Sequence, residues 1–120
     1  MLIDSLLNEL VSSVDGATGA IIVAVDGEVI HCCASSHTER LRLRGAYAAL
    51  VMQLFRAATA MAGLGSLQHL LVEYDGATLI AQKLDDECSV VLELKANASV
   101  GRAIHRMQTV EARLRDEITV

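Results

Sequence analysis

Apolar residues recur along the first segment at Leu2, Ile3, Leu6, Leu7, Leu10, Val11 and Val14. This i, i+3, i+4, i+7 spacing lays one apolar stripe along a helix, and Asp15-Gly16 ends it, so a helix is predicted over Leu2–Val14. The period then changes. Between Thr18 and Val25 apolar residues fill both alternating sets, Ala20, Ile22 and Ala24 against Ile21, Val23 and Val25. A strand apolar on both faces is normally covered on both faces, which places the sheet between layers of helix. Asp26-Gly27 turns the chain into a second strand, Glu28–Ala34, and a second Asp-Gly, Asp75-Gly76, separates Leu67–Tyr74 from Ala77–Leu84. Asp-Gly suits a two-residue hairpin in which both central positions take positive φ. The acidic Asp85-Asp86-Glu87 leads to the last strand, Cys88–Leu94.

Ser35-Ser36-His37-Thr38 is a polar break, with Thr38 or Ser36 expected to cap a long helix that runs to about Ala62. Gly63-Leu64-Gly65-Ser66 stops it, glycine suiting the left-handed position after a helix. Asn97 to Glu117 closes the chain as a helix capped by Asn97 or Ser99, with Val100, Ile104, Met107, Val110 or Glu111, Leu114 and Ile118 along one face. The order α-β-β-α-β-β-β-α over residues 1–120 reads as one domain of the α/β (α+β) class.

The middle helix carries more apolar surface than one core requires. On a wheel of about 100° per residue, Leu43, Tyr47, Leu50, Leu54, Ala57 and Met61 share one stripe, read as the core stripe. Ala48, Val51, Phe55, Ala58 and Ala62 form a second stripe beside it, and Arg42, Gln53 and Arg56 take the remaining side. The combined arc is about 200°, whereas a helix packed on one core uses little more than about 100°. The bland reading makes the second stripe a set of helix formers facing solvent. Phe55, the only Phe, stands there among alanines that suit close helix–helix approach. The second stripe is therefore assigned to a partner, and the strand from Leu67 to Tyr74 joins it because open edge strands tend to be paired. The expected dimer interface is Ala48, Val51, Phe55, Ala58, Ala62, Leu67, His69 and Leu71.

Composition supports a packed aliphatic domain. At 120 residues the chain buries roughly two-thirds of its unfolded surface. Hydrophobic residues make up 52%, yet Phe55, Tyr47 and Tyr74 are the only aromatics, so the core is built from Leu, Val, Ile and Ala. A net charge of −5 without a basic stripe disfavours nucleic acid. No apolar run reaches the ~18–20 residues of a membrane span, so no direct membrane insertion is expected. The N-terminal MLIDSLLNELVSS carries Asp4 and Glu9 and lacks a basic region, unlike a signal peptide. Cys32, Cys33 and Cys88 read as reduced thiols, which implies a cytoplasmic protein.

Sites of chemistry are weak. In His31-Cys32-Cys33 strand alternation puts Cys32 on the opposite face from His31 and Cys33, so no tetrahedral metal set forms locally. Gly63-Leu64-Gly65-Ser66 follows a helix and precedes a strand, the reverse of a phosphate loop. Asp85, Asp86 and Glu87 read as a wet, unpaired hairpin tip rather than a cation site. Ser35, Ser36 and His37 lack an orienting acid, and His69 and His105 read as solvated or packed. No catalytic set, metal site or cofactor site is expected, and the chain is not read as an enzyme.

The element order, with its first helix running into GATGAIIVAVDGEVI and then LGSLQHLLVEYDGATLIAQKLDDECSVVLELKANASVGRAIHRM, resembles the roadblock family of dynein light chains and their bacterial relatives. Asn97–Arg102 is similar to the family's small-residue start to its last helix. The resemblance implies a five-stranded antiparallel sheet with the middle helix on one face and the terminal helices on the other. It also implies a homodimer formed through the middle helix and third strand. As a partner it implies a small Ras-like GTPase, whose hydrolysis the bacterial gliding-motility type activates. Arg40, Arg44 and Arg56 on the middle helix are the candidates for partner contact. The rival expectations are a purely structural adaptor in a motor or signalling complex, and a small-ligand sensor.

Overall fold

The computed structural model describes residues 2–34 and 36–118. Its elements are α1 (Leu2–Ser13), β1 (Ala17–Ala24), β2 (Val29–Ala34), α2 (Thr38–Met61), β3 (His69–Glu73), β4 (Ala77–Lys83), β5 (Cys88–Lys95) and α3 (Val100–Ile118). The five strands form one sheet in the order β2-β1-β5-β4-β3, and each neighbouring pair is antiparallel. Architecture and element order match the reading from sequence.

Strand alternation divides the interior into two cores. Ala20 and Ile22 of β1 join Ile80 of β4 and Val90, Leu92 and Leu94 of β5 beneath α1 and α3. Ile21 and Val23 join Leu79, Ala81 and Val91 on the other side, beneath α2. The central strands are therefore dry on both faces, as the doubly apolar sequence of β1 requires.

Local chemistry departs from expectation in several places. Neither Asp26 nor Asp75 takes positive φ, and Gly76 does not either; Gly27 alone of the four does, at 91°. The Gly27 amide donates to the Ala24 carbonyl, and the Ala24 amide donates to that of Glu28. The first hairpin thus closes through a three-residue loop with glycine at its left-handed position, the common alternative to a two-residue turn. At the start of α2, neither Thr38 nor Ser36 is the cap; His37 occupies that place at φ 55°, without a side-chain capping bond. At α3, Ser99 accepts a bond from the Arg102 amide at 3.4 Å, whereas Asn97 sits in the left-handed region at φ 69°. The end of α2 follows expectation: Gly63 takes φ 71°, and the Gly63 and Leu64 amides donate back to Ala60 and Thr59, satisfying carbonyls left over at the helix end.

α2 lies close to its sheet because two glycines permit it. A Cβ on Gly45 would come within 2.9 Å of Ile21 Cγ2, and one on Gly19 within 2.6 Å of Leu41 Cδ2. Gly101, on the exposed first turn of α3, has nothing within 4 Å of such a Cβ. Gly101→Ala should stabilise the protein by about 0.5–1 kcal/mol through helix propensity. Gly45→Ala gains the same propensity but meets an overpacking cost of about 1–3 kcal/mol, and is expected to lower the urea midpoint. Urea unfolding of the two variants checks this opposition of sign.

Candidate functional site: the outer face of α2

The stripe read as core is the outward one. Leu43, Tyr47, Leu50, Leu54 and Met61 are 56%, 58%, 51%, 72% and 91% exposed. The residues that α2 buries are Leu41, Gly45, Ala48, Ala49 and Met52, on the diametrically opposite side of the wheel. The reason is steric. A helix pressed against β1 needs small residues at the closest contact, and Gly45, Ala48 and Ala49 provide them, with Leu41 and Met52 filling the space at either end. The sequence signal was present in Gly45, whose position on the wheel marks the close-packed side.

The expected interface residues consequently separate. Ala48 is 9% exposed and packs in the core beneath α2. Val51 is half-buried, while Ala58 and Ala62 are exposed and Phe55 is 47% exposed. Leu67 precedes β3 and packs against the α2-side core. Leu71 is half-buried against the core of α1 and α3, with His69 exposed. β3 is an edge strand, paired with β4 alone. Leu43, Tyr47, Leu50, Leu54 and Met61 lie outside the expected interface set and together form an outward apolar face on α2.

Of the three arginines, Arg40 is exposed and Arg56 is half-buried beside Thr59, Gly65 and Lys83 around a shallow cleft of about 220 Å³. Arg44 has a partner within the chain. Its Nη1 donates to Glu93 Oε2 at 2.5 Å, and the Thr18 hydroxyl donates to Glu93 Oε1 at 2.6 Å. Glu93 is 4% exposed. Alternation along β5 turns Glu93 to the α2 side with Val91, and the register between β1 and β5 slips between Ala17 and Gly19, a bulge that brings Thr18 to the same side. Burial works to raise the Glu93 pKa, but the Thr18 hydroxyl and the Arg44 guanidinium, helped by Arg40, outweigh it and hold the carboxyl below its ordinary value.

The other polar clusters have local roles. His31 Nδ1 pairs with Asp4 at 3.1 Å, and Cys33 donates to Asn8 at 3.7 Å. Cys32 and Cys33 pack in opposite cores, and all three thiols are free, with burial pushing each upward in pKa. Among the described residues no group of three or more His, Cys, Asp or Glu side chains is arranged to hold a metal ion. The acidic tip is not unpaired: Asp85 accepts from the Glu87 and Cys88 amides at 2.8 Å, and Asp86 pairs with Lys83 at 3.1 Å. Ser36 and His37 are exposed, and Ser35 lies outside the described residues. His105 is exposed. No helix among the described residues is long and apolar enough to cross a membrane.

A helix-sandwiched antiparallel sheet whose single-helix side carries an apolar outer face defines a class of small α/β domains. The chain belongs to the Roadblock/LC7 family: the family model described as Roadblock/LC7 domain matches residues 3–93. Among solved structures it is similar to a Roadblock/LC7 domain from Streptomyces avermitilis, at 20% identity and TM-score 0.88, with 98% of each chain covered. It is also similar to Myxococcus xanthus MglB, at 13% identity and TM-score 0.88, covering 99% of this chain and 96% of that one. The gliding protein MglB from Thermus thermophilus matches at 16% identity and TM-score 0.82, over 96% and 89% of the two chains. These identities show a shared fold. No curated protein sequence matches the chain.

The Glu93 network carries a pH prediction. Because the Glu93 carboxyl titrates lower in the fold than in the unfolded chain, the unfolded state takes up the proton first as pH falls. The stabilisation is present above the ordinary value of about 4.5 and is lost as pH drops through the lower folded value. Urea midpoints measured across this acid range should fall more steeply for the wild type than for Glu93→Gln.

Proposed function

We propose that this chain is a homodimeric regulatory or scaffold protein for a small Ras-like GTPase, stimulating or positioning GTP hydrolysis through contacts to the partner's switch loops. The observation that carries the dimer is the outward stripe of α2. Leu43, Tyr47, Leu50, Leu54, Ala57 and Met61 are spaced alternately by four and three residues, a 3.5-residue period that suits a seam between two helices crossing at about 20°. Each large side chain taken out of water there contributes on the order of 1.5–3 kcal/mol when fully buried. The edge of β3 lies open to extend the same contact. Phe55, Ala58 and Ala62 flank the stripe and belong to the proposed interface, while Ala48 supports it from beneath. A solved MglB structure, described as having a tetrameric arrangement, gives a fold relative that self-associates.

The GTPase half of the proposal is supported by membership of the Roadblock/LC7 family and by the fold shared with the MglB proteins. In this mechanism the GTPase supplies nucleotide, magnesium and chemistry, and this chain holds its switch loops in a hydrolysis-competent arrangement. Arg40 and Arg56 are the exposed and half-exposed candidates for contact, since Arg44 is engaged by Glu93. The structural adaptor is the second reading, favoured by the same apolar stripe. The ligand-sensor reading draws less support, because aliphatic side chains fill both cores.

Leu50→Glu with Leu54→Glu should convert a dimer to a monomer by light scattering without loss of helical content, since unpaired charge in a dry interface costs several kcal/mol, about 3–5. A variant that stays dimeric moves the interface elsewhere. A GTPase partner should bind the chain more tightly when loaded with a non-hydrolysable GTP analogue than with GDP, because equal affinity for two states shifts neither. Equal affinity measured by calorimetry would leave the adaptor reading.

A further inference from the structure

The face that α2 turns to its own sheet is smooth. Leu41 and Met52 bracket Gly45, Ala48 and Ala49, and small residues raise few ridges to interlock with a neighbour. Close approach keeps Gly45 against Ile21, with Leu41 and Met52 buried at either end of the contact, and small rotations about that contact are left to the groups on its flanks. Rotation matters here, because a shift of one residue turns the helix by about 100° and carries the outward stripe to its flank.

Two polar ties stand on either side of the buried face. On one flank Arg44 reaches Glu93 of β5 at 2.5 Å. On the other the Gln53 side-chain amide donates to the Val25 carbonyl at the β1–β2 loop. With Leu43 set to zero on the wheel, Arg44 lies at about 100° and Gln53 at about 280°, with the buried face between them near 180°. Along the axis the two are separated by about 13 Å. Opposed ties at two heights resist both rotation and sliding, which a single tie cannot do.

The first tie is built in some detail. Glu93 is buried at 4% exposure, the bulge at Thr18 brings a hydroxyl to its second oxygen, and Gly19 leaves room for Leu41 alongside. A buried ion pair contributes little stability compared with apolar residues of the same volume. Its bonds are directional: one planar guanidinium donor meets one carboxylate oxygen and the Thr18 hydroxyl meets the other.

We infer that the Arg44–Glu93–Thr18 network and the Gln53–Val25 bond together index α2, setting the rotation at which its outward stripe is presented to a second copy of this chain. Arg44, Glu93 and Gln53 are positioning residues: they touch their own sheet and act on the interface through the helix they hold. The inference rests on the homodimer proposed above.

The experiment measures the dimer dissociation constant by sedimentation equilibrium, with urea unfolding and far-ultraviolet circular dichroism in parallel. The samples are wild type, Arg44→Lys, Gln53→Ala and the double variant Arg44→Met with Glu93→Met. A wild type that is monomeric throughout removes the dimer and overturns the inference with it. With a dimeric wild type, the double variant should weaken dimerisation about tenfold or more while keeping its helical signal and the urea midpoint measured at dilutions where both proteins are monomeric. Arg44→Lys, which keeps the charge but shortens and re-aims the single donor that meets Glu93 Oε2, should weaken it several-fold, and Gln53→Ala about as much. Dimerisation as tight as wild type in all three variants overturns the index. A lowered urea midpoint with unchanged dimerisation also overturns it, because the network is then merely structural. If the double variant does not fold, Arg44→Lys and Gln53→Ala decide the matter by the same two criteria.

Discussion

The whole arrangement depends on a sheet that is apolar on both faces. Ile21 and Val23 point to one side of β1, Ala20 and Ile22 to the other, and all four are at 0–1% exposure. Such a sheet needs two covering layers. α1 and α3 share one side, and their buried stripes of Leu6, Leu7, Leu10, Met107 and Leu114 fill it with bulky side chains. The other side is left to α2 alone. That helix settles onto β1 through glycine and alanine with Leu41 and Met52 at the ends of the contact, while Leu43, Tyr47, Leu50, Leu54 and Met61 are directed away from the molecule.

In the proposed dimer this division of labour links folding to association. With Leu41, Met52 and the small residues spent on its own sheet, α2 still exposes Leu43, Tyr47, Leu50, Leu54 and Met61, a contiguous apolar surface of the kind that suits a partner. The buried carboxylate of Glu93 fits the same logic. It lies under the flank of α2, where it takes bonds from Thr18 and Arg44 that tie the helix to β1 and β5.

Much of the fold was legible in the sequence because its signals are periodic. The stripe of α1, the double alternation of β1 and the glycines after α2 each correspond to a physical requirement with a fixed spacing, and each reappears in the structure. Turn and cap chemistry was less legible. Asp26-Gly27 and Asp75-Gly76 look alike in sequence, yet only Gly27 adopts positive φ, because loop length and strand register select the turn. His37 begins α2 in a left-handed conformation that no capping pattern signals. The two sides of α2 were exchanged because hydrophobicity alone ranks Leu43 and Leu54 above Gly45 and Ala49 as core residues. Close approach to a flat strand inverts that ranking. Glu93 was not singled out, since nothing in VVLELK distinguishes a buried glutamate from one on an exposed face; its partners come from distant segments, Thr18 and Arg44.

The central claim is that the outward stripe of α2 is covered when copies of this chain associate. Hydroxyl-radical footprinting read by mass spectrometry tests it directly, since Tyr47 and Met61 are 58% and 91% exposed in the isolated chain while Met107 is 1% exposed. As protein concentration rises through the association range, Tyr47 and Met61 should become protected toward the low reactivity of Met107. Oxidation of both at the rate of freely exposed side chains at every concentration would contradict the account.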